Sequence, residues 1–523
     1  MKQAINAVEK SFGQLSEIGI FVDNNGLFPK SKWSIKGDPS MSKTQYSLGN
    51  SEQGTVFRNG IVLTMDKQKT VINEGDVYVK GDTIVSVGSN LDVPAGTTEI
   101  DAKGGIIMPG MVDTHRHMWQ TAMRAYGADW TLTQYFVWYY LQYGKLFRPE
   151  DMAAGNMLSA LEAVEAGVTT TVDWSHGLRT NDHAEAAIEA LENAPGRFVF
   201  AYGNIHGGPW EWSTSAEFKN FMSSRSANDM MGYQMAFDVT GDPEFPEKPA
   251  FEVANELGLN VTTHAGVWGA TSDASINLMY DNGFMKPGTV YVHATTLSDE
   301  SYQKIAATGG SVSVSTESEQ SCGQGYPPTW KLRQHGIDVS MSIDTSVWMS
   351  ADMFTAMRTT LGADRSREHM IAHSSSETVT NSALRAEHVV EFATMGGAKA
   401  LGMEDKIGSL EPGKKADVVL IKNDNSPVMY PLVNPYGHVV MQVNRGDVHT
   451  VLVNGEIVKH NHQISSDAVK KNKGDIENTI NYLVSEMGEE AWKQEMTPDI
   501  PESKVMDNPY MYTDFRSDET HKS

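Results

Sequence analysis

The sequence predicts an α/β chain: a (β/α)8 barrel with a small β-sandwich built from N- and C-terminal segments. Three observations point there. Eight short runs, apolar or β-branched and continuous rather than alternating, recur between about 106 and 400, as strands covered on both faces should. Two blocks of another style, partly alternating and broken by Asn-Gly and Gly-Asp turns, flank them. The chain has 523 residues, too many for one ordinary core, which suits a large barrel with satellites.

Residues 1–54 are polar and irregular and read as an N-terminal extension, within which Met41 offers an alternative start. Residues 55–105 carry the first part of the sandwich, in TVFRNGIVLTMD and GDVYVKGDTIVSVG. Its second part spans 406–465, in KKADVVLIKND and VHTVLVNGEIVKH. Between them, 106–405 hold the barrel. Its strands are GIIMPGMVD, GVTTTVDW, RFVFAYGN, GYQMAFDV, LNVTTHAG, TVYVHAT, GSVSVST and IDVSMSID. Helical stretches such as AAGNMLSALEAVEAG, PAFEVANELG and SDESYQKIAATGG separate several of them. The eight-fold count favours a barrel, with a doubly wound sheet as the alternative. Residues 466–523 form a tail with a helix in GDIENTINYLVSEMGEEAWKQEM.

Composition narrows the function classes. The net charge of -24 argues against nucleic acid as a general partner and against anionic membrane surfaces. The single cysteine, Cys322, excludes an intramolecular disulfide framework and a Cys-rich zinc module. No apolar run reaches the length of a membrane span, and the N-terminus lacks a secretory layout. The expectation is a cytoplasmic protein.

Barrel enzymes carry their reacting groups at the C-terminal ends of strands. The first strand ends in Asp113-Thr114-His115-Arg116-His117, and residues two apart on an extended segment point the same way. His264 ends the fifth strand, His293 the sixth and Asp344 the eighth. A lone His-x-His is a weak signal. Five such groups at strand ends of one hand make a site for a borderline divalent metal: zinc first, with iron, manganese or cobalt compatible. His176, His183, His335, His369, His373, His388 and His438 lack that placement and read as surface or supporting residues, while His206 after the third strand is a pocket candidate.

Tryptophans cluster beyond strand ends: Trp119, Trp174, Trp210, Trp212, Trp268 and Trp348. As a set they suggest an aromatic mouth that binds a flat or hydrophobic small molecule. The segment YFVWYYLQYGKLF (135–147) reads instead as a helix face, at a subunit contact rather than in the pocket. Arg116 and Arg124 read either as anion ligands or as structural cations.

The run Ile107-Met108-Pro109-Gly110-Met111-Val112-Asp113-Thr114-His115-Arg116-His117 resembles the amidohydrolase superfamily, and its cytosine deaminase and triazine hydrolase branch in particular. Glu162–Asp173, His293–Glu300, Ser342–Asp344 and Ala398–Asp417 add to the likeness, which covers about 55–460. The resemblance implies one divalent ion per chain held by His115, His117, His264 and Asp344, with His293 bonding water or substrate. The fourth strand has no Lys to bridge two metals. It also implies a homo-oligomer, dimer or tetramer. Asp344 would accept the proton of an activated water as it attacks an sp² carbon. One position departs. Deaminases of this branch carry a Glu three residues after the fifth-strand His, and Val267 stands there. Glu317 and Glu319 are the nearest replacements, unless they cap a helix or face solvent. Asp238 and Asp173 also sit at strand ends. The implied function is metal-dependent hydrolysis of a non-peptide C–N bond (amide, amidine, carbamate or ring amine) in an aromatic or heterocyclic small molecule. The alternatives are an ester, lactone or carbon–halogen bond, or a non-catalytic scaffold.

Overall fold

The computed structural model describes residues 53–267 and 272–500. The sequence up to 52 and beyond 500 lies outside them, and with it Met41 and the polar end of the tail.

The chain first lays down β1 (Thr55–Leu63), β2 (Val71–Lys80), β3 (Thr83–Ser89), β4 (Thr98–Asp101) and β5 (Ile106–Pro109). Eight strands then form the barrel: β6 (Met111–Arg116), β7 (Val168–Ser175), β8 (Arg197–Tyr202), β9 (Met231–Ala236), β10 (Asn260–Ala265), β11 (Val290–His293), β12 (Ser311–Val314) and β13 (Asp338–Met341). Finally β14 (Val418–Ile421), β15 (Val448–Val453) and β16 (Glu456–Lys459) return to the first sheet. That sheet is mixed and runs β16-β15-β14-β5-β1-β2-β3, with β4 beside β1. The expected small β unit from both ends of the chain thus takes the form of one eight-stranded sheet. Its core gathers Phe57, Val77, Ile84, Ile107, Leu410, Val418 and Leu452. The β15–β16 hairpin turns on Asn454 and Gly455, both at positive φ, as a tight hairpin requires.

The barrel strands follow chain order from β6 to β13, each parallel to the next. A parallel bridge between Arg116 and Asp344 joins the two ends, which decides for a barrel over an open doubly wound sheet. Helices fall between the strands, among them Pro149–Glu165, Asn181–Asn193, Lys248–Glu256, Asp299–Ala307 and Met353–Ser374. Strand residues are buried almost throughout, from VTTTVDWS in β7 to VYVH in β11, which explains their continuous apolar pattern.

One expected strand is two. GIIMPGMVD breaks at Gly110, so β5 pairs with β1 and β14 while β6 opens the barrel. A Cβ on Gly110 would lie 2.1 Å from Thr169 Oγ1, so the chain passes between the sheets only because nothing projects there. A buried ion pair between Arg197 of β8 and Asp417 ties the sheets together, and Asp417 also accepts from the Asn454 amide at 2.8 Å. The C-terminal helix Ser466–Met487 lies on Pro149–Glu165, where Thr479 donates to Asp151 at 2.8 Å. Among the described residues no helix is long and apolar enough to cross a membrane.

Candidate active site

The end of β6 and the residue after β13 are joined through the main chain. The Asp344 amide donates to the His115 carbonyl at 3.1 Å, and the His117 amide to the Asp344 carbonyl at 2.7 Å. The side chains consequently meet. His115 Nε2 and His117 Nε2 lie 3.4 and 3.6 Å from Asp344 Oδ1, and His293 Nε2 lies 3.9 Å from Oδ2. The His264 ring is 4.9 Å from that of His115 and 5.6 Å from that of His293, centroid to centroid. His293 and Asp344 both have φ of 70°, the left-handed region that non-glycine residues rarely occupy. Such backbone clusters where a site must be built.

Three of the four imidazoles are oriented from behind. His117 Nδ1 donates to the Trp174 carbonyl at 2.9 Å, which leaves Nε2 with its lone pair toward Asp344. His264 Nδ1 bonds Asp238 Oδ1 at 2.9 Å, and the same oxygen takes the His264 amide at 3.1 Å. His293 Nδ1 bonds Glu319 Oε1 at 3.2 Å, and the Ser315 amide holds that oxygen at 2.7 Å.

Burial, aided by neighbouring imidazoles, holds His115 well below its ordinary pKa and His117 at about 4. Burial alone would raise Asp344, but the His115, His293 and His117 rings hold it well below the usual carboxylate range. Burial opposes charge on His264 too, yet Asp238 raises it. His115 and His117 therefore present neutral nitrogen donors beside an ionised carboxylate.

That donor set fits a divalent ion. The donor atoms of His115, His117 and His264 all lie within 4.8 Å of one another, as do those of His115, His293 and Asp344. Both ring nitrogens of His115, and Nε2 of His293, are buried without any hydrogen-bond partner. A lone pair buried that way is costly unless something electropositive meets it.

The other expected residues distribute unevenly. A cavity beside the cluster is lined by His117, Leu132, Tyr135, Phe136, Tyr140, Asp238, His264, Val267, Gln324, Asp344 and Trp348. Trp348 is there, its indole donating to the Trp130 carbonyl at 3.1 Å. Trp119 and Trp174 are not. Trp119 is fully buried against Tyr139 and Phe147, and Trp174 packs 4.4 Å from His264 without lining the cavity itself. Trp210 sits on the short helix Pro209–Trp212, where Trp212 packs on Tyr202, and His206 precedes it; none of these lines the cavity. Trp268 lies outside the described residues.

Glu319 is turned inward beneath His293, and Glu317 lies off the cavity, its carboxyl raised to about 7 by burial and by Asp352. Neither occupies the space that Val267 lines. Arg116 and Arg124 face Glu162, at 2.6 Å each, so both are structural cations.

One expectation is corrected. The 135–147 segment enters the pocket, because Tyr135, Phe136 and Tyr140 form one of its walls. Of the two readings of His176, surface or supporting, the second fits. It is fully buried and stacks on His117 with ring centroids 4.0 Å apart. Its position two residues after Trp174, just past the end of β7, was the available signal.

Residues 106–458 match the amidohydrolase family. The chain belongs to that family. It is accordingly a metal-dependent hydrolase acting on C–N bonds. A 5'-deoxyadenosine deaminase of Methanosarcina mazei is 26% identical over 430 residues, 78% of this chain and 93% of that protein. A 5-methylthioadenosine/S-adenosylhomocysteine deaminase of Symbiobacterium thermophilum is 30% identical over 429 residues, 77% of this chain and 93% of that one. The solved structure of an atrazine chlorohydrolase from Arthrobacter aurescens, complexed with zinc, aligns with a TM-score of 0.68 at 20% identity, covering 81% of this chain and 100% of that one.

Proposed function

We propose that this amidohydrolase-family enzyme hydrolyses an exocyclic C–N bond on a heteroaromatic ring, releasing ammonia or an amine. The observation that carries the reading is the convergence of four imidazoles and Asp344 beside an aromatic-walled cavity. In this reading His115, His117, His264 and Asp344 hold one divalent ion, zinc first by its N/O donor set and by the zinc in the chlorohydrolase neighbour. Such an ion supplies Lewis acidity, which makes water a nucleophile at neutral pH.

The chain's own groups do the rest. Trp348, Phe136 and Tyr140 hold the ring flat, and Val267 closes the cavity with an apolar wall. Asp344 takes the proton released by the attacking water at a carboxylate oxygen and returns it to the departing nitrogen. His293 Nε2, oriented by Glu319, bonds the reacting centre. Atoms balance: water adds its oxygen to the ring carbon, and both its protons end on the product and the leaving amine.

The test is a substrate panel scored for ammonia, led by 5'-deoxyadenosine and 5-methylthioadenosine, with chloride release from chlorinated triazines as a second arm. Ammonia from the nucleosides supports the proposal. Val267 favours the second arm as the alternative, since a chloride leaving group needs no proton and so no carboxyl at that position. Chloride without ammonia would transfer the assignment to carbon–halogen hydrolysis.

A further inference from the structure

We infer that the Tyr135 hydroxyl is the pocket's hydrogen-bond donor to the substrate, aimed at an acceptor nitrogen of the ring. The inference rests on the heteroaromatic reading above and names the group that serves where Val267 leaves the cavity without a carboxyl.

An indole nitrogen only donates, and Trp119 Nε1 donates to His176 Nδ1 at 3.1 Å. Nδ1 therefore carries no proton, His176 is neutral, and its single proton sits on Nε2. That nitrogen lies 3.1 Å from the Tyr135 oxygen and donates to it. Gln120 Nε2 donates to the same oxygen at 2.8 Å. Two incoming bonds fill both lone pairs of the phenol, so its own O–H must point elsewhere. It makes no further hydrogen bond among the described residues, and the side chain lines the cavity with His264, Val267 and Asp344.

The surroundings keep that donor in place. The Tyr135 ring packs 5.1 Å from Trp348, and His176, its anchor, is stacked on His117. Burial, with Tyr140 and Asp344 adding, holds the phenol well above its ordinary pKa, so it gives a hydrogen bond and keeps its proton. The other phenol in the cavity, Tyr140, has no such pair of incoming donors among the described residues. When water attacks a ring carbon, negative charge builds on the adjacent ring nitrogen. A fixed donor at that atom stabilises the charge as it forms.

Two measurements test this. The first uses Tyr135→Phe in the full-length, metal-loaded enzyme with a heteroaromatic amine that the wild type turns over. kcat/KM should fall about 100-fold, mostly in kcat, as removal of one preorganised donor does. Wild type and variant should bind equally well, as a competitive inhibitor, an analogue with carbon in place of the ring nitrogen. Tyr140→Phe should lose less. An unaffected Tyr135→Phe, or the reverse order of the two variants, overturns the assignment. The second is nitrogen NMR of histidine-labelled wild type and needs no substrate. His176 protonated at Nε2 is expected, and the Nδ1–H tautomer overturns the inference. A wild type that releases no amine from any heteroaromatic substrate would sink the underlying reading, while the NMR arm still decides the direction of the Tyr135 bond.

Discussion

Asp344 and His115 are held together twice, through the main chain at 3.1 Å and through Oδ1 and Nε2 at 3.4 Å. The carboxylate is thus positioned by the strand that carries the imidazoles, with little dependence on the loop that follows it. Asp344 also sits at φ 70°, a conformation that Asn adopts more readily than other residues. Asp344→Asn should therefore fold as the wild type does, by circular dichroism, while kcat falls by about 10³-fold or more because the base is gone. Retained activity would remove Asp344 from the mechanism.

Glu162 is the second keystone. Its carboxylate accepts from Arg116 and Arg124, each at 2.6 Å, and pairs with Arg445 at 3.2 Å. Those guanidinium charges hold it well below the usual carboxylate range against burial. Arg116 is 0% exposed, so Glu162→Ala leaves a buried cation without its partner. The expected loss is about 3–5 kcal/mol in urea unfolding. Because Arg116 lies between His115 and His117, metal affinity should fall as well.

Glu317 makes stability depend on pH in a stated direction. Its folded pKa is raised from 4.5 to about 7 by burial and by Asp352. Between those values the folded chain holds a proton that the unfolded chain has released. The stabilisation is complete below the lower value and is lost as pH rises through the upper one. Glu317→Gln stays neutral throughout. It should come close to the wild type at about pH 4 and exceed it by roughly 3 kcal/mol at about pH 8, read by urea unfolding at both. Equal behaviour at both would contradict the burial argument.

The C-terminal segment braces the pocket wall. Tyr126 Oη donates to the Trp492 carbonyl at 2.6 Å, Trp130 Nε1 to the Met496 carbonyl at 2.9 Å, and Gln134 Nε2 to the Pro498 carbonyl at 3.1 Å. The Trp492 ring packs 4.6 Å from Tyr126. The braced loop leads into Tyr135, Phe136 and Tyr140. Trp492→Ala should cost about 3 kcal/mol of stability and raise KM more than it lowers kcat. A kcat defect alone would show that the brace acts on the chemistry instead of the wall.

The barrel and the convergence of His115, His117, His264, His293 and Asp344 were legible because strand ends in this architecture meet by rule, so these residues could be placed from their positions in the runs alone. The tryptophans were not legible in the same way. Position just past a strand end does not say whether a side chain turns into the mouth, as Trp348 does, or beneath it, as Trp119 and Trp174 do. The 135–147 segment was misplaced for a related reason. Its apolar spacing showed a buried face but could not show that the neighbour is the cavity. Gly110 hid the break between β5 and β6, since the run is apolar on both sides and only the close approach of Thr169 reveals the crossing.

Metal content decides whether the His–Asp cluster is an ion site. Purified protein supplied with zinc should hold one tightly bound divalent ion per chain, and His115→Ala should lose both that ion and hydrolysis while remaining folded. A wild type that binds substantially less than one ion, or a His115→Ala variant that keeps it, would contradict the account.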